Sequence, residues 1–294
     1  MKIKGLGVAM ITPFKNDLSI DFDSLGNLTE SLVLGGVDFL VVMGTTGEAA
    51  TLTVEEKQKV LSHVIKTNAD RVPVVYGIGG NNTAAVCEEL RNFKTQGVSS
   101  ILSASPGYNK PTQEGIFQHF KALGESTALP IILYNVPGRT ASNMEAKTSI
   151  RIASEVPNIV AIKEASGDLN QIEEIIRNAP EGFDVFSGDD GLTIPVMKAG
   201  GIGVISVIGN ACPDLFSNLV RFCESKEYES AAGIFNVMEE IIPMLFEQGN
   251  PAGIKALMEL HDMCTDKVRL PLVSANQLLK SRFKASLDAL SSIV

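Results

Sequence analysis

A lysine at the end of an apolar run has the clearest chemical potential in this sequence. Residues 159–168, IVAIKEASGD, lead from apolar side chains into Lys163 and then into small turn residues. Lysine is rarely buried, and a lysine at a strand end ordinarily extends its ammonium into water. An amine kept away from water instead loses its proton readily and attacks carbonyl groups. This segment alone favours the solvated lysine, so the reactive alternative depends on the rest of the chain.

Further polar side chains follow other apolar runs. They are Thr45 and Thr46 in GTTGE, Tyr108 in PGYNK, and Tyr134 and Arg139 in YNVPGRT. If these runs are parallel strands of one barrel, their carboxyl ends meet at the same mouth, which is where barrel active sites form. We therefore expect these side chains to accompany Lys163 in one site.

Together these residues suggest carbonyl chemistry on a carboxylate-bearing substrate. A neutral amine on Lys163 would convert a ketone into an iminium, an electron sink for making or breaking carbon–carbon bonds. The phenol of Tyr134 could transfer the protons, with Thr45 and Tyr108 extending the relay. The guanidinium of Arg139 and the backbone N–H groups of the GTTGE turn could bind carboxylates.

Each of these residues also has a simpler explanation when taken singly. The glycines around the threonines are typical of a tight turn. Tyr134 could be a half-buried strand aromatic whose hydroxyl has a local partner. Arg139 could be a surface arginine in a Pro-Gly turn, and Tyr108 a packing or interface residue. Their joint placement at successive strand ends favours the catalytic interpretation.

The elements that would position these residues are eight short apolar runs, each followed by a longer amphipathic stretch. The runs occupy residues 7–12, 37–43, 72–78, 98–104, 130–135, 158–163, 183–188 and 203–208. Apolar strands alternating with helices indicate parallel strands covered on both faces. A doubly wound sheet is the alternative, but no glycine fingerprint opens a helix after the first run. Residues 1–225 therefore predict a (β/α)8 TIM barrel.

Helix-start signals support this division of the chain. Thr53 and Ser274 each begin a capping box, and Asp168 predicts an acidic cap just after the lysine segment. Beyond residue 225 the sequence predicts three helices with no strand between them, the first kinked or broken by Pro243. We expect residues 226–294 to form a C-terminal helical extension.

Composition narrows the function classes. The chain has 294 residues, with 25 Lys+Arg against 34 Asp+Glu, and a formal charge of −9 argues against nucleic-acid or anionic-membrane binding. No apolar run reaches the roughly 18 residues of a membrane helix. The four cysteines and three histidines are scattered without metal-ligand spacing. We expect a cytoplasmic protein with reduced thiols whose catalysis needs no metal or cofactor.

The three motifs GTTGE, YNVPGRT and KEASGD, in this order, resemble those of the pyruvate-dependent class I aldolases. That family includes dihydrodipicolinate synthases and N-acetylneuraminate lyases. The likeness extends from GVAMITPF near the N-terminus to RLPLV at residues 269–273. It implies that Lys163 forms a Schiff base with pyruvate and that Tyr134 donates and accepts protons. It also implies that Thr46 and the backbone at Ile205 hold pyruvate.

Within this family the chain resembles the synthase branch. Arg139 matches the arginine that binds the carboxylate of aspartate semialdehyde in that branch, whereas sialic acid lyases carry Ser-Thr in the glycine turn and lack the arginine. Thr45, Tyr108 and Tyr134 resemble the proton relay of the synthases. The resemblance implies condensation of pyruvate with L-aspartate 4-semialdehyde in the diaminopimelate route of lysine biosynthesis. It also implies a dimer or homotetramer in which Tyr108 reaches the neighbouring subunit's site.

The chain departs from the lysine-inhibited branch of the family. Where that branch carries an aromatic residue, a glutamate and a histidine, this sequence has Gly107, Ala85 and Lys57, although Asn81 is retained. We therefore expect weak or absent inhibition by lysine.

Two other functions remain open at this stage. A sister aldolase, such as N-acetylneuraminate lyase or a 2-keto-3-deoxy sugar acid aldolase, would use the same lysine. A barrel that binds small acids without catalysis would bind its ligand without a covalent adduct.

Overall fold

The computed structural model describes residues 3–291 and contains a closed barrel of eight strands in chain order. The strands are β1 (Gly5–Ala9), β2 (Phe39–Val42), β3 (Val74–Gly77), β4 (Ser100–Ala104), β5 (Ile131–Asn135), β6 (Ile159–Glu164), β7 (Asp184–Ser187) and β8 (Gly203–Ser206). The predicted (β/α)8 barrel is confirmed, and each predicted apolar run overlaps one strand. The strands are buried along nearly their whole length, as expected for parallel strands covered on both faces.

Helices alternate with the strands. Between the strands lie α1 (Phe22–Leu34), α2 (Val54–Asn68), α3 (Thr83–Asn92), α4 (Gln113–Gly124), α5 (Pro137–Thr140), α6 (Ala146–Glu155), α7 (Leu169–Asn178) and α8 (Thr193–Ala199). After β8 come α9 (Pro213–Glu224), α10 (Tyr228–Met238), α11 (Ile241–Glu247), α12 (Ala252–Leu260) and α13 (Gln277–Ser291). None of the helices in the described chain has the length and apolar character needed to cross a membrane.

Two of the predicted helix starts are confirmed. Thr53 forms a reciprocal capping box, in which its hydroxyl accepts from the Glu56 N–H at 3.2 Å and the Glu56 carboxylate accepts from the Thr53 N–H at 2.9 Å. Asp168 caps α7 by accepting from the backbone N–H groups of Asn170 and Gln171. The loop that follows Lys163 therefore ends at a fixed helix N-terminus.

The predicted capping box at Ser274 is wrong. Its hydroxyl donates to the Asp266 carbonyl at 3.2 Å, so it does not cap a helix. The side chain of Asn276 takes this role by accepting from the Leu279 N–H at 2.9 Å, and α13 begins at the next residue. Asparagine is as good a cap as serine, and the local bond to Asp266 decides between them.

The region after residue 225 contains four helices within its described part, α10 to α13, rather than the three predicted. The first predicted helix divides at Glu239–Glu240, because Pro243 has no N–H to donate to the carbonyl one turn earlier. Pro243 lies in the first turn of α11, where this loss costs little. The boundary between residues 225 and 226 stays a prediction. Residues 1–2 and 292–294 of the two predicted domains lie outside the described part.

The chain divides into two compact units, which we describe separately. The central unit, residues 3–4 and 73–205, contains β3 to β7 and most of β8, with α3 to α8. The terminal unit, residues 5–72 and 206–291, contains β1, β2, α1, α2 and α9 to α13. Within the terminal unit, α10 packs against α9, and α12 packs against α11 and α13.

Candidate active site

Lys163 and Tyr134 lie side by side in the central unit. Strands β5 and β6 pair in parallel with Tyr134 directly opposite Lys163, so both side chains project from the same face. Their exposed fractions are only 5% and 7%, and the Lys163 Nζ lies 4.6 Å from the centroid of the Tyr134 ring. The lysine is therefore desolvated at the carboxyl end of its strand, and the alternative of an ammonium extended into water is excluded.

Lys163 has no counter-ion within the described residues, where no salt bridge or hydrogen bond joins it to an acidic side chain. Its Nζ lies over the face of the Tyr134 ring. A buried amine without an anionic partner is not stabilised as an ammonium by pairing. This setting suits an amine that attacks carbonyl compounds.

Arg139 and Tyr108 lie on two adjoining loops of the central unit. Arg139 is exposed on the short helix α5, which directly follows the Tyr134 strand. The Tyr108 N–H donates to the carbonyl of Thr140, the last residue of α5, at 3.1 Å. The structure thus joins the backbone of the Tyr108 loop to the helix that carries Arg139.

Tyr108 is 93% exposed although the backbone of its loop is tightly held. Asn81 accepts from the Gly107 N–H at 3.1 Å and donates to the Gly107 carbonyl at 2.5 Å. Tyr108 itself has φ of 61°, a left-handed conformation that costs energy for a tyrosine. The loop therefore presents an aromatic side chain outward from a fixed backbone.

Ile205 is fully buried in β8, one residue before the strand ends. Its backbone is the group that the resemblance assigns to substrate binding, and this role stays a prediction.

Thr45 and Thr46 lie in the terminal unit on a 3₁₀ turn, Thr45–Gly47, that follows β2. Thr46 is buried, and its hydroxyl accepts from the side-chain amide of Asn250 at 2.9 Å. Thr45 is exposed, while the Gly47 carbonyl accepts from the Thr12 hydroxyl at 2.7 Å. The two threonines thus have different settings, one fixed by a buried partner and one free to meet solvent or ligand.

An ion pair that the sequence analysis missed anchors this turn. The Glu48 carboxylate accepts from Lys255 Nζ at 2.6 Å and from the Arg269 N–H at 2.9 Å. Lys255 also donates to the Lys267 carbonyl at 2.8 Å, and its Nζ lies 4.1 Å from the Phe14 ring centroid. Burial lowers the pKa of Lys255 from its usual value, and the neighbouring charge of Glu48 opposes that shift.

A lysine inside the apolar sequence NPAGIKALMEL was the signal for this pair. Lys255 occupies the buried face of α12, where its amine requires an acidic partner. The sequence alone did not identify Glu48 as that partner. No group of three or more histidine, cysteine or acidic side chains is arranged to hold a metal in residues 3–288, for which side chains are described.

Known proteins resemble this chain along nearly its whole length. A model of the dihydrodipicolinate synthetase family matches residues 2–290. The 4-hydroxy-tetrahydrodipicolinate synthase of Parabacteroides distasonis is 48% identical over 99% of this chain and 98% of its own length. The enzyme of the same name from Phocaeicola vulgatus is 47% identical over 98% of this chain and 97% of its own length.

Solved structures give the same match in three dimensions. The dihydrodipicolinate synthase of Thermotoga maritima aligns with a TM-score of 0.95 and 35% identity, covering 98% of each chain. A structure described as the first monomeric dihydrodipicolinate synthase variant aligns with a TM-score of 0.95 and 36% identity, covering 98% of this chain and 97% of the other.

Proposed function

This chain belongs to the dihydrodipicolinate synthetase family, and we propose that it condenses pyruvate with L-aspartate 4-semialdehyde to give 4-hydroxy-tetrahydrodipicolinate. The reaction would belong to the diaminopimelate route of lysine biosynthesis. The observation that carries this proposal is the buried Lys163 amine against the Tyr134 ring, with no acidic partner among the described residues. Relatives named for this activity share nearly half their residues with the chain along its whole length.

The first half of the proposed reaction forms an iminium on Lys163. The neutral amine attacks the ketone carbon of pyruvate, and the resulting carbinolamine loses its oxygen as water. That oxygen needs a proton to leave, and the Tyr134 hydroxyl is the proposed donor. The iminium then draws electrons from the methyl group, which loses one proton and becomes the nucleophilic carbon of an enamine.

The second half forms the carbon–carbon bond. The enamine carbon attacks the aldehyde carbon of the semialdehyde, and the new alkoxide takes up one proton. The amino group that came with the semialdehyde then attacks the iminium carbon, closes the six-membered ring as a cyclic imine and displaces the Lys163 amine, which releases 4-hydroxy-tetrahydrodipicolinate. We propose that Tyr134, Thr45 and Tyr108 move these protons, since hydroxyl groups can both donate and accept.

Carboxylate binding is assigned to three positions. Thr46, whose hydroxyl is oriented by Asn250, and the backbone at Ile205 would hold pyruvate. The exposed guanidinium of Arg139 would bind the carboxylate of the second substrate through two parallel hydrogen bonds.

The relay also requires a second subunit. We propose that Tyr108 completes the site of a neighbouring copy, so that a dimer or a homotetramer is the active form. Its exposed side chain on a fixed backbone supports this role, because such a residue reaches outward without a cost in ordering the loop.

Weak or absent inhibition by lysine also stays part of the proposal. Gly107 replaces the aromatic residue of the inhibited branch, and a Cβ at this position would lie 3.0 Å from the Thr140 Cα. An aromatic side chain would therefore need the neighbouring backbone to move. An inhibition constant for lysine in the low-micromolar to submillimolar range would contradict this proposal.

Arg139 provides the test of the second substrate. In a coupled assay with pyruvate and the semialdehyde, Arg139→Ala should raise KM for the semialdehyde by about 10- to 100-fold, the loss of about 1.5–3 kcal/mol of charge-assisted hydrogen bonding. Arg139→Lys should recover only part of the loss, because an ammonium cannot make the paired bonds. Arg177→Ala, which changes an exposed arginine on α7, is the control.

A sugar-acid aldolase is the competing function. An unchanged KM for the semialdehyde in Arg139→Ala, together with cleavage of N-acetylneuraminate or a 2-keto-3-deoxy sugar acid by the unmodified protein, would establish it instead.

A further inference from the structure

Behind the strands that carry Lys163 and Tyr134, four side chains form a closed hydrogen-bonded group. We call Asn135, Asn143, Glu164 and Gln171 the Glu164 cluster. Asn135 and Glu164 are almost fully buried, with exposed fractions of 0% and 1%. Because successive residues of a strand project from opposite faces, these two side chains point away from Lys163 and Tyr134.

Glu164 is the acceptor at the centre of the cluster. Its two carboxylate oxygens accept from the Asn135 amide at 3.1 and 3.0 Å. One oxygen also accepts from the Ser166 N–H at 2.7 Å, and the other accepts from the Gln171 amide at 3.1 Å. The carboxylate thereby joins the last residue of β5, the turn after Lys163 and the first turns of α7.

The remaining members close the network. The Asn135 amide donates to Asn143 at 2.8 Å, and its carbonyl oxygen accepts from the Met144 N–H at 2.9 Å. Asn143 in turn donates to Gln171 at 2.8 Å. The segment between α5 and α6 is therefore bonded to β5 through Asn135 and, by way of Gln171, to the Glu164 carboxylate on β6, so the cluster fixes the surroundings of the strand ends.

The charge of Glu164 needs an explanation. The Glu164 carboxylate is the acceptor in each of its hydrogen bonds, which suits an ionised group. No salt bridge pairs it with a cation among the described residues. Burial raises the pKa of Glu164, and the hydrogen bonds oppose that shift. An unpaired buried carboxylate is costly, so a neutral or apolar residue would be the stable choice for structure alone.

The position of the Glu164 cluster explains why a buried carboxylate without a cation stands there despite its cost in stability. Tyr134 and Lys163 form the next-to-last register pair of β5 and β6, and Asn135 with Glu164 forms the last. Strand ends open more easily than strand centres. A side-chain bond across the last pair therefore holds the pair before it in register.

We propose that Glu164, acting through Asn135, is a positioning residue for the reaction. This proposal rests on the proposed function and extends it. The Asn135–Glu164 bond keeps the Tyr134 hydroxyl within reach of the atoms attached to Lys163 Nζ. Glu164 touches no substrate. Its contribution is to the rate of proton transfer and not to the binding of pyruvate, since a displacement of about 1 Å costs about 100-fold in rate.

The test separates positioning from loss of folded protein. In each variant, kcat is divided by the fraction of sites that borohydride traps with pyruvate, so inactive molecules do not count. Glu164→Gln places an amide against donors and should lower this normalised kcat about 10- to 100-fold, with KM for pyruvate changing less than about threefold. Asn135→Asp places two carboxylates together and should do the same.

Exchanging the two groups supplies the rescue. In Asn135→Asp/Glu164→Gln the donor and acceptor change places, so the bond across the last register pair can form again. This double variant should recover at least about tenfold of the normalised kcat relative to Glu164→Gln. Asn158→Asp is the control: Asn158 donates to the carbonyls of Gly124 and Thr127 before the start of β6, and its loss should lower stability only.

The outcomes are distinct. An unchanged normalised kcat in Glu164→Gln, or a double variant no better than the single ones, would overturn the positioning role. If Glu164→Gln does not fold, Gln171→Ala removes a single donor to the carboxylate, and it should still lower the normalised kcat severalfold; no change there would also overturn the role. Failure of the unmodified protein to be trapped would instead contradict the proposed function.

Discussion

Lys163 and Lys255 are both buried, yet their surroundings differ in the groups that decide reactivity. Each lysine Nζ lies over an aromatic ring, 4.6 Å from the centroid of Tyr134 for Lys163 and 4.1 Å from that of Phe14 for Lys255. Lys255 also forms a 2.6 Å ion pair with Glu48, whereas Lys163 has no acidic partner among the described residues. The ring beside Lys163 carries a hydroxyl group, and the ring beside Lys255 does not.

This difference shows that burial alone does not make a lysine a nucleophile. Lys255 donates to a carboxylate and a carbonyl, so its proton is part of the structure. Lys163 has no such bond to lose, and the adjacent phenol can deliver and remove protons. We infer that Lys255 stabilises the Thr45–Thr46 turn and that Lys163 performs the chemistry.

The largest expected effect comes from removing the Lys163 amine. Lys163→Met keeps a similar volume but cannot form an iminium, so kcat should fall at least about a thousandfold. The measurement is the coupled assay, with circular dichroism to verify folding. A folded Lys163→Met variant with more than a tenth of the original activity would show that another group is the nucleophile, and the contrast between Lys163 and Lys255 would not hold.

Replacing the phenol should make the surroundings of Lys163 resemble those of Lys255. Tyr134→Phe removes only the hydroxyl, and kcat should fall about 100-fold or more because the proton donor is lost. Tyr76→Phe is the matched control, since Tyr76 is also a buried strand tyrosine, stacked on Phe93 at 5.0 Å. Equal effects of the two changes would show that the Tyr134 hydroxyl has no special role.

Breaking the ion pair should affect stability. Lys255→Met leaves Glu48 buried without its cation and should lower the free energy of unfolding by about 3–5 kcal/mol, measured by urea denaturation. Changing both partners, in Lys255→Met/Glu48→Gln, should restore most of the loss because no unpaired charge remains. A loss below about 1 kcal/mol in the single variant would mean that the pair is not a structural anchor.

The smallest expected effect is a loss of stability in acid, caused by protonation of Glu56 in its ion pair with Arg269. Arg269 donates to both oxygens of Glu56, at 2.9 and 2.6 Å, and lowers the Glu56 pKa from 4.5 to about 2. Because the folded-state pKa is the lower one, the pair stabilises the protein above pH 4.5, and this contribution disappears as the pH falls towards 2.

Thermal unfolding between these pH values tests the sign. The melting temperature of Glu56→Gln should fall less steeply with acidification than that of the unmodified protein. Glu164 has the opposite effect. Burial raises its pKa in the folded protein, so at pH values above the ordinary glutamate pKa its ionisation lowers stability, and acidification removes this cost. A parallel fall in both proteins would assign the acid sensitivity to other carboxylates.

The sequence was informative where the signal is local. Eight apolar runs predicted the strands, and Lys163 and Tyr134 could be found because each is the last or next-to-last residue of such a run. The Glu48–Lys255 pair joins residues 207 positions apart, and no local pattern indicates such a partner. The bond between Asn135 and Glu164 depends on the register of two strands, which the motifs do not specify.

Local patterns also failed where two residues compete for one role. Ser274 and Asn276 are both good helix caps, and only the hydrogen bond to Asp266 shows which of them caps α13. The roles of Thr45, Thr46, Arg139, Tyr108 and Ile205 stay predictions, because they depend on bound substrate or on a second subunit.

Borohydride reduction in the presence of pyruvate tests the central claim most directly. A reduced imine adds about 72 Da to the lysine that formed it, and peptide mapping locates that lysine. We predict a single adduct on Lys163 and none on Lys255. A folded protein that binds pyruvate but gains no adduct, or one modified on Lys255 instead, would contradict the account.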